Sequence, residues 1–236
     1  MTAASDPGEP AGPRPGVRNP SLMVGVLAFC GSIVALMQTL VVPILPELPR
    51  IFGAPAEDTS WIMTATLLAA AVSHPVVGRL GDMYGKRRMV LAVLALMVTG
   101  SVICGLSTSL PWVVAGRALQ GLAIGVVPLG ISIMRDNLGP ERLGSAMALM
   151  SATLGFGGAI GLPLAAVIAE HAHWHALFWV SGSVGALDIV LVYLFVRESP
   201  VRARARFDLL GAVWLTVGLS CLLLGITKGG SWGWGS

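Results

Sequence analysis

The sequence predicts an all-α membrane protein with seven transmembrane helices. Three observations carry this: 55% of its 236 residues are hydrophobic and only 11% charged, mean hydropathy is +0.79, and the charges gather into short groups separated by long uncharged runs. A soluble domain of this length does not hide so much apolar surface in one core, whereas a bilayer solvates it.

The first twenty residues are rich in Pro, Gly and Ala and hold neither an apolar core nor a cleavage pattern, so 1–20 reads as a disordered cytoplasmic tail. A helical bundle is expected over 21–196, a cytoplasmic connection over 197–208, and a seventh span with an external loop over 209–236. Uncharged stretches of 28 residues between Arg18 and Glu47, 20 between Asp58 and Arg79, 28 between Arg88 and Arg117, and 27 between Arg142 and Glu170 each suffice to cross the bilayer. The hydrocarbon is about 30 Å thick and a helix rises about 1.5 Å per residue. The span between the last two of these carries Arg117 near its outer end and runs to about Met134. A sixth runs from about Ala176 to Val196 with Asp188 inside it, and a seventh fills the 19 residues between Asp208 and Lys228.

Lys and Arg in short connections set orientation. With the N-terminus inside, twelve basic residues from Arg14 to Arg206 are cytoplasmic and only Arg50 and Lys228 fall outside. The expected location is therefore the plasma membrane, multi-pass, with a cytoplasmic N-terminus. An Arg-, Ala- and Gly-rich composition points to a high-GC bacterium and hence to its inner membrane.

A net charge of +3 does not point to nucleic acid, because the bases flank apolar spans and no basic helix with interleaved aromatics occurs. Cys30, Cys104 and Cys221 all fall inside apolar runs and read as small buried hydrophobes rather than a disulfide or zinc framework. No metal cluster, phosphate loop or cofactor box is found, so neither an enzyme nor a cofactor is expected. A retinal-binding sensor would need the opposite orientation and a midmembrane lysine, and an intramembrane serine protease would need a G-x-S-G sequence that is not present.

Between spans two and three lies Gly78-Arg79-Leu80-Gly81-Asp82-Met83-Tyr84-Gly85-Lys86-Arg87-Arg88. Two glycines and an acid before a basic triplet suit a tight turn whose acid meets a helix N-terminus or a cation, while the bases set topology. The segment resembles the major facilitator superfamily signature G-x-L-A-D-x-x-G-[RK]-[RK], with Gly81 in the small-residue place. The resemblance implies a conformational gating loop built from Gly78, Leu80, Asp82, Gly85, Lys86, Arg87 and Arg88, clasping a helix of a second half.

Span four opens with Arg117-Ala118-Leu119-Gln120-Gly121-Leu122-Ala123-Ile124-Gly125, similar to the family's R-x-x-Q-G-x-x-x-G motif. An arginine inside a membrane normally faces a protein or water-filled interior. The resemblance implies proton coupling or a pathway role for Arg117 and Gln120; an Arg117 snorkelling to the outer interface is the structural alternative. Span five carries Gly155, Gly157, Gly158, Gly161 and Pro163, and resembles the antiporter signature G-x-x-x-G-P-x-x-G-G. Gly157 and Gly161 match, Pro163 comes one place late, and Ala165-Ala166 replace the glycine pair; helix packing by small residues is the alternative. Span one reads Leu36-Met37-Gln38-Thr39-Leu40-Val41-Val42-Pro43-Ile44-Leu45-Pro46, similar to the L-D-x-T-x-V-N-x-x-L-P motif of fourteen-span drug:proton antiporters. Met37 stands where the family has its membrane acid and Val42 where it has Asn. Gln38 and Thr39 remain as pathway candidates, with hydrogen bonding between helices as the alternative.

Asp188 is the only acid deep in an expected helix and matches no family motif. A carboxyl desolvated at midmembrane is a candidate proton or cation site, and a structural Asp188 paired with Arg117 or with backbone is the alternative. His74 reads as a packing residue, and His171, His173 and His175 as an interfacial loop in preference to a metal site. Together the motifs imply a six-helix major facilitator half-bundle of two inverted three-helix repeats, plus a seventh helix. They imply a carrier driven by a proton gradient that exports small drug-like molecules, with membrane lipid, substrate and a missing C-terminal half as partners. An uptake or uniport carrier of a small metabolite, or a non-transporting seven-span protein, are the alternatives.

Overall fold

The computed structural model describes residues 19–199 and 209–232, and no strand occurs among them. Seven helical segments are long and apolar enough to cross a membrane. The expected tail and the end of the external loop lie outside the described residues, as does most of the connection after span six.

Span one comprises α1 (Pro20–Leu40), a 3-10 segment (Val42–Glu47) and α2 (Leu48–Phe52). Pro43, Pro46 and Pro49 withdraw backbone donors there, so the helix changes to 3-10 geometry before α2 continues it past Glu47. Gly53, at φ 58°, terminates it. Span two follows as α3 (Ala56–Thr59) and α4 (Trp61–Tyr84), and span three is α5 (Lys86–Leu106). Span four combines α6 (Leu110–Leu122), a 3-10 turn (Ala123–Gly125) and α7 (Val126–Asn137). It starts seven residues before Arg117, so that side chain lies two turns inside the helix rather than at its outer end. At the 3-10 turn the Ser73 hydroxyl of span two donates to the Leu122 carbonyl at 2.5 Å, satisfying backbone that the irregularity would otherwise leave bare in an apolar medium. Spans five, six and seven are α8 (Pro140–His171), α9 (His175–Phe195) and α10 (Leu209–Trp232).

The packing has a repeat symmetry. Span one packs on spans five and six, span four packs on spans two and three, and spans three and six pack on each other. Advancing every number by three, modulo six, turns this set of neighbours into itself, the relation two three-helix repeats require. Most of the core is apolar: Leu27, Met97, Val126, Leu129 and Ile133 are fully enclosed between spans one, three and four. Among the described residues span five meets the bundle chiefly through span one, and span seven rests chiefly on span two. Their outer faces, with Phe156, Leu162 and Val167 on one and Leu210, Trp214 and Ile226 on the other, are exposed and apolar, a surface that hydrocarbon or another helix solvates.

Candidate functional site

Two groups of candidate side chains emerge, one where the helices meet the basic connections and one buried in the bundle. At the basic end, spans two and three are joined by Gly85 alone, at φ 111°. That angle disfavours any residue with a side chain. Asp82 lies in the last turn of α4 and faces Lys86, one turn on, at 3.6 Å. Lys86 itself is buried and reaches Asp136, in the last turn of span four, at 2.6 Å. The Ser199 hydroxyl donates to the same Asp136 oxygen at 2.5 Å.

Glu198, just beyond span six, closes the other side. Its carboxylate accepts from the backbone N–H groups of Arg87 and Arg88 at 3.1 and 3.3 Å. These are first-turn donors of α5 that have no partner within their own helix, so Glu198 caps span three and places negative charge at its positive end. The carboxylate also packs directly over Gly85, where a Cβ would fall 2.7 Å from it. The Arg87 guanidinium donates to the Tyr193 carbonyl at 2.5 Å and lies 5.1 Å from the Tyr193 ring.

Lys86 is a buried cation held by two carboxylates. Within this chain Asp136, Glu198 and Ser199 supply partners to the loop and its neighbours. None of the three stood out in the sequence; Asp136 and Glu198 sit in polar clusters at span ends, where acids are ordinary. A Cβ added to Gly78 would meet no other part of the fold within 4 Å, and Leu80 is half-buried.

Inside the bundle Arg117 is completely buried, which excludes the snorkelling alternative. Its Nη1 donates to Gln120 Oε1 at 2.9 Å, Gln120 Nε2 donates to Ser101 Oγ at 2.7 Å, and Ser101 Oγ donates to the Met97 carbonyl at 2.9 Å. Among the described residues Arg117 Nε and Nη2 find no partner. Gln120, equally buried, faces span three rather than an open pathway. Gly121 is required behind it, since a Cβ there would collide with the Thr66 carbonyl of span two.

Asp188 is fully buried, and neither of its oxygens accepts a hydrogen bond among the described residues. The Cys30 thiol of span one faces it. No ion pair joins it to Arg117, so the structure does not bring together the two charges that the structural alternative would pair.

On span five, a Cβ on Gly157 would collide with the Ser32 carbonyl and one on Gly161 with the Thr39 hydroxyl and Leu36 carbonyl of span one. The two glycines, four residues apart on one face, let the helices approach to backbone contact. Pro163 is exposed on the opposite side. Thr39 is occupied locally, donating to the Leu36 carbonyl at 2.9 Å, while Gln38 is half-buried. Met37, at the place of the family's acid, belongs to the apolar core. His74 is exposed with Nδ1 on the Ala70 carbonyl at 2.9 Å, and His175 Nε2 donates to the Ser107 carbonyl at 3.0 Å.

Known proteins resemble this chain in sequence and in fold. The tetracenomycin C resistance and export protein of Streptomyces glaucescens is 32% identical over 96% of the chain. The multidrug export protein EmrB of Haemophilus influenzae is 31% identical over 93%, and multidrug resistance protein 3 of Bacillus subtilis 27% over 91%. The chain spans 41 to 44% of the length of these three relatives. The human organic anion transporter MFSD10 (TETRAN) superposes on 86% of the chain, which covers 55% of it, with a TM-score of 0.67 at 21% identity. A D-xylose-proton symporter superposes on 89%, again covering 55% of that chain, with a TM-score of 0.69 at 16% identity, a likeness of fold alone. The pattern of the Major Facilitator Superfamily matches residues 27–233, and with the helix order and basic-end cluster described above this makes the chain a multi-pass membrane protein of that superfamily.

Proposed function

We propose that this chain forms one half of a proton-coupled exporter of small, drug-like molecules, working by alternating access in a bacterial inner membrane with its N-terminus in the cytoplasm. The observation that carries the transport role is the basic-end cluster. Asp82, Lys86, Asp136, Glu198 and Ser199 tie spans two, three, four and six together through polar contacts at the membrane boundary. Such contacts hold while enclosed and weaken when water enters, which suits a latch that a rocking motion opens. Export rather than uptake is supported by the export and drug-resistance names of the relatives, which align with more than nine-tenths of this chain.

The two repeats enclose one wall of a pathway, and alternating access requires a second bundle to rock against. The exposed apolar face of span five suits that contact. Asp188 is the proposed proton carrier, with Arg117 as the fixed positive charge of the same bundle. The test is reconstitution in liposomes with ethidium as probe. The chain alone should show no saturable, proton-dependent flux, and outward flux should appear when a second six-helix bundle is supplied on a continuing chain. Saturable flux from the chain alone would overturn the half-carrier reading.

A further inference from the structure

Spans one and five, so tightly joined at Gly157 and Gly161, diverge toward the basic end. A cleft of about 430 Å³ opens between them. Its walls are graded along the helix axes. On span five Arg142, Ser145 and Leu149 share one face, with Arg142 nearest the helix start and Leu149 seven residues, about 10 Å, deeper. On span one Ser21 lies at the mouth and Val24 one turn in. Ala146 forms the apolar floor.

Arg142 is the only ionisable residue in this lining, and among the described residues no carboxylate lies within ion-pair distance of it. Both helices begin at the cleft with a proline and no side-chain cap. Glu141 precedes Arg142 but is not part of the wall. The cleft thus offers a guanidinium and the hydroxyls of Ser21 and Ser145 at the membrane boundary, over an apolar slot at the depth of the acyl region. That order of polarity, from cationic to apolar over about 10 Å, matches a phospholipid lying parallel to the spans.

We propose that this cleft binds one anionic phospholipid, its phosphate on Arg142 and Ser21 and its upper acyl chain against Val24, Ala146 and Leu149. The site does not depend on the transport reading. Only its assignment to the cytoplasmic leaflet rests on the proposed orientation, which cysteine labelling tests separately.

The experiment is native mass spectrometry of the full chain released from micelles after equilibration with phosphatidylglycerol, phosphatidylcholine or inorganic phosphate. One phosphatidylglycerol per chain should be retained, phosphatidylcholine should not, and phosphate alone should leave no adduct. Arg142→Gln should lower phosphatidylglycerol retention about tenfold, the scale of a lost charged hydrogen bond. Ser145→Trp, filling the cleft from an exposed position, should abolish it, while Arg135→Gln, outside the wall, should leave it intact. Helical circular dichroism establishes that each variant is folded. Equal retention of phosphatidylglycerol by Arg142→Gln, or equal retention of phosphatidylcholine by the unmodified chain, would overturn the proposal. A phosphate adduct as strong as the lipid's would make this a free-anion site instead.

Discussion

Lys86 Nζ lies 2.6 Å from Asp136 Oδ2 across fifty residues of sequence, with both side chains largely out of solvent, while its nearer neighbour in sequence, Asp82, sits at 3.6 Å and is 42% exposed. The two acids therefore have different roles toward the same cation. Asp136→Asn leaves a buried ammonium without its close counter-charge, so it should cost on the order of 3 kcal/mol and lower the melting temperature in detergent. Asp82→Asn removes only the longer contact, from a carboxylate that is itself solvated, and this contributes about 0 to 1 kcal/mol. Equal melting of the two variants would show that burial does not rank them.

Asp82→Asn should nonetheless impair transport by the complete carrier while leaving membrane insertion intact, because bases and not acids set orientation. Flux at matched expression is the measurement. Unchanged flux would remove Asp82 from the gate.

Gly85 and Glu198 form a second test of the latch. Gly85→Ala combines a backbone angle that costs roughly 1–2 kcal/mol for other residues with a direct clash on the Glu198 carboxylate. Glu198→Gln keeps the shape but removes the charge from the start of span three, a loss of about 0.3–1 kcal/mol. Thermal unfolding should rank Gly85→Ala as the more damaging of the two.

For the contact between spans one and five, Gly157→Val and Gly161→Val should separate the helices, whereas Gly155→Ala and Gly158→Ala, with no atom within 4 Å of the added carbon, should be tolerated. A cysteine pair engineered at the crossing reports the distance by crosslinking. Efficient crosslinking in Gly161→Val would contradict the close approach.

Proton coupling is tested at Asp188. Asp188→Asn in the complete carrier should abolish substrate-induced proton movement while binding persists. Retained proton movement would leave Asp188 a structural residue. Orientation is tested in a background lacking the three native cysteines: residues introduced at Tyr84 and His173, both exposed, should label from opposite sides with an impermeant reagent.

Seven spans and their approximate limits were legible in the sequence, because a bilayer demands long uncharged helices and charges collect mostly between them. The glycines of the loop and of span five were legible as motifs for a related reason: backbone contact and positive φ admit few alternatives. What only the tertiary structure decided is which charges meet. Asp188 and Arg117 both stood out as membrane charges and invited pairing, yet span six turns Asp188 toward Cys30 and span four turns Arg117 toward Gln120 and Ser101. Asp136, Glu198 and Ser199 looked like ordinary polar residues at span ends until folding carried them, from 50 to 111 positions away, onto Lys86, Asp136 and the first turn of span three. Hydropathy is a property of each segment against lipid and can be read one segment at a time. A charge partner is a property of how segments rotate and cross, and that is set by side-chain packing between helices distant in sequence.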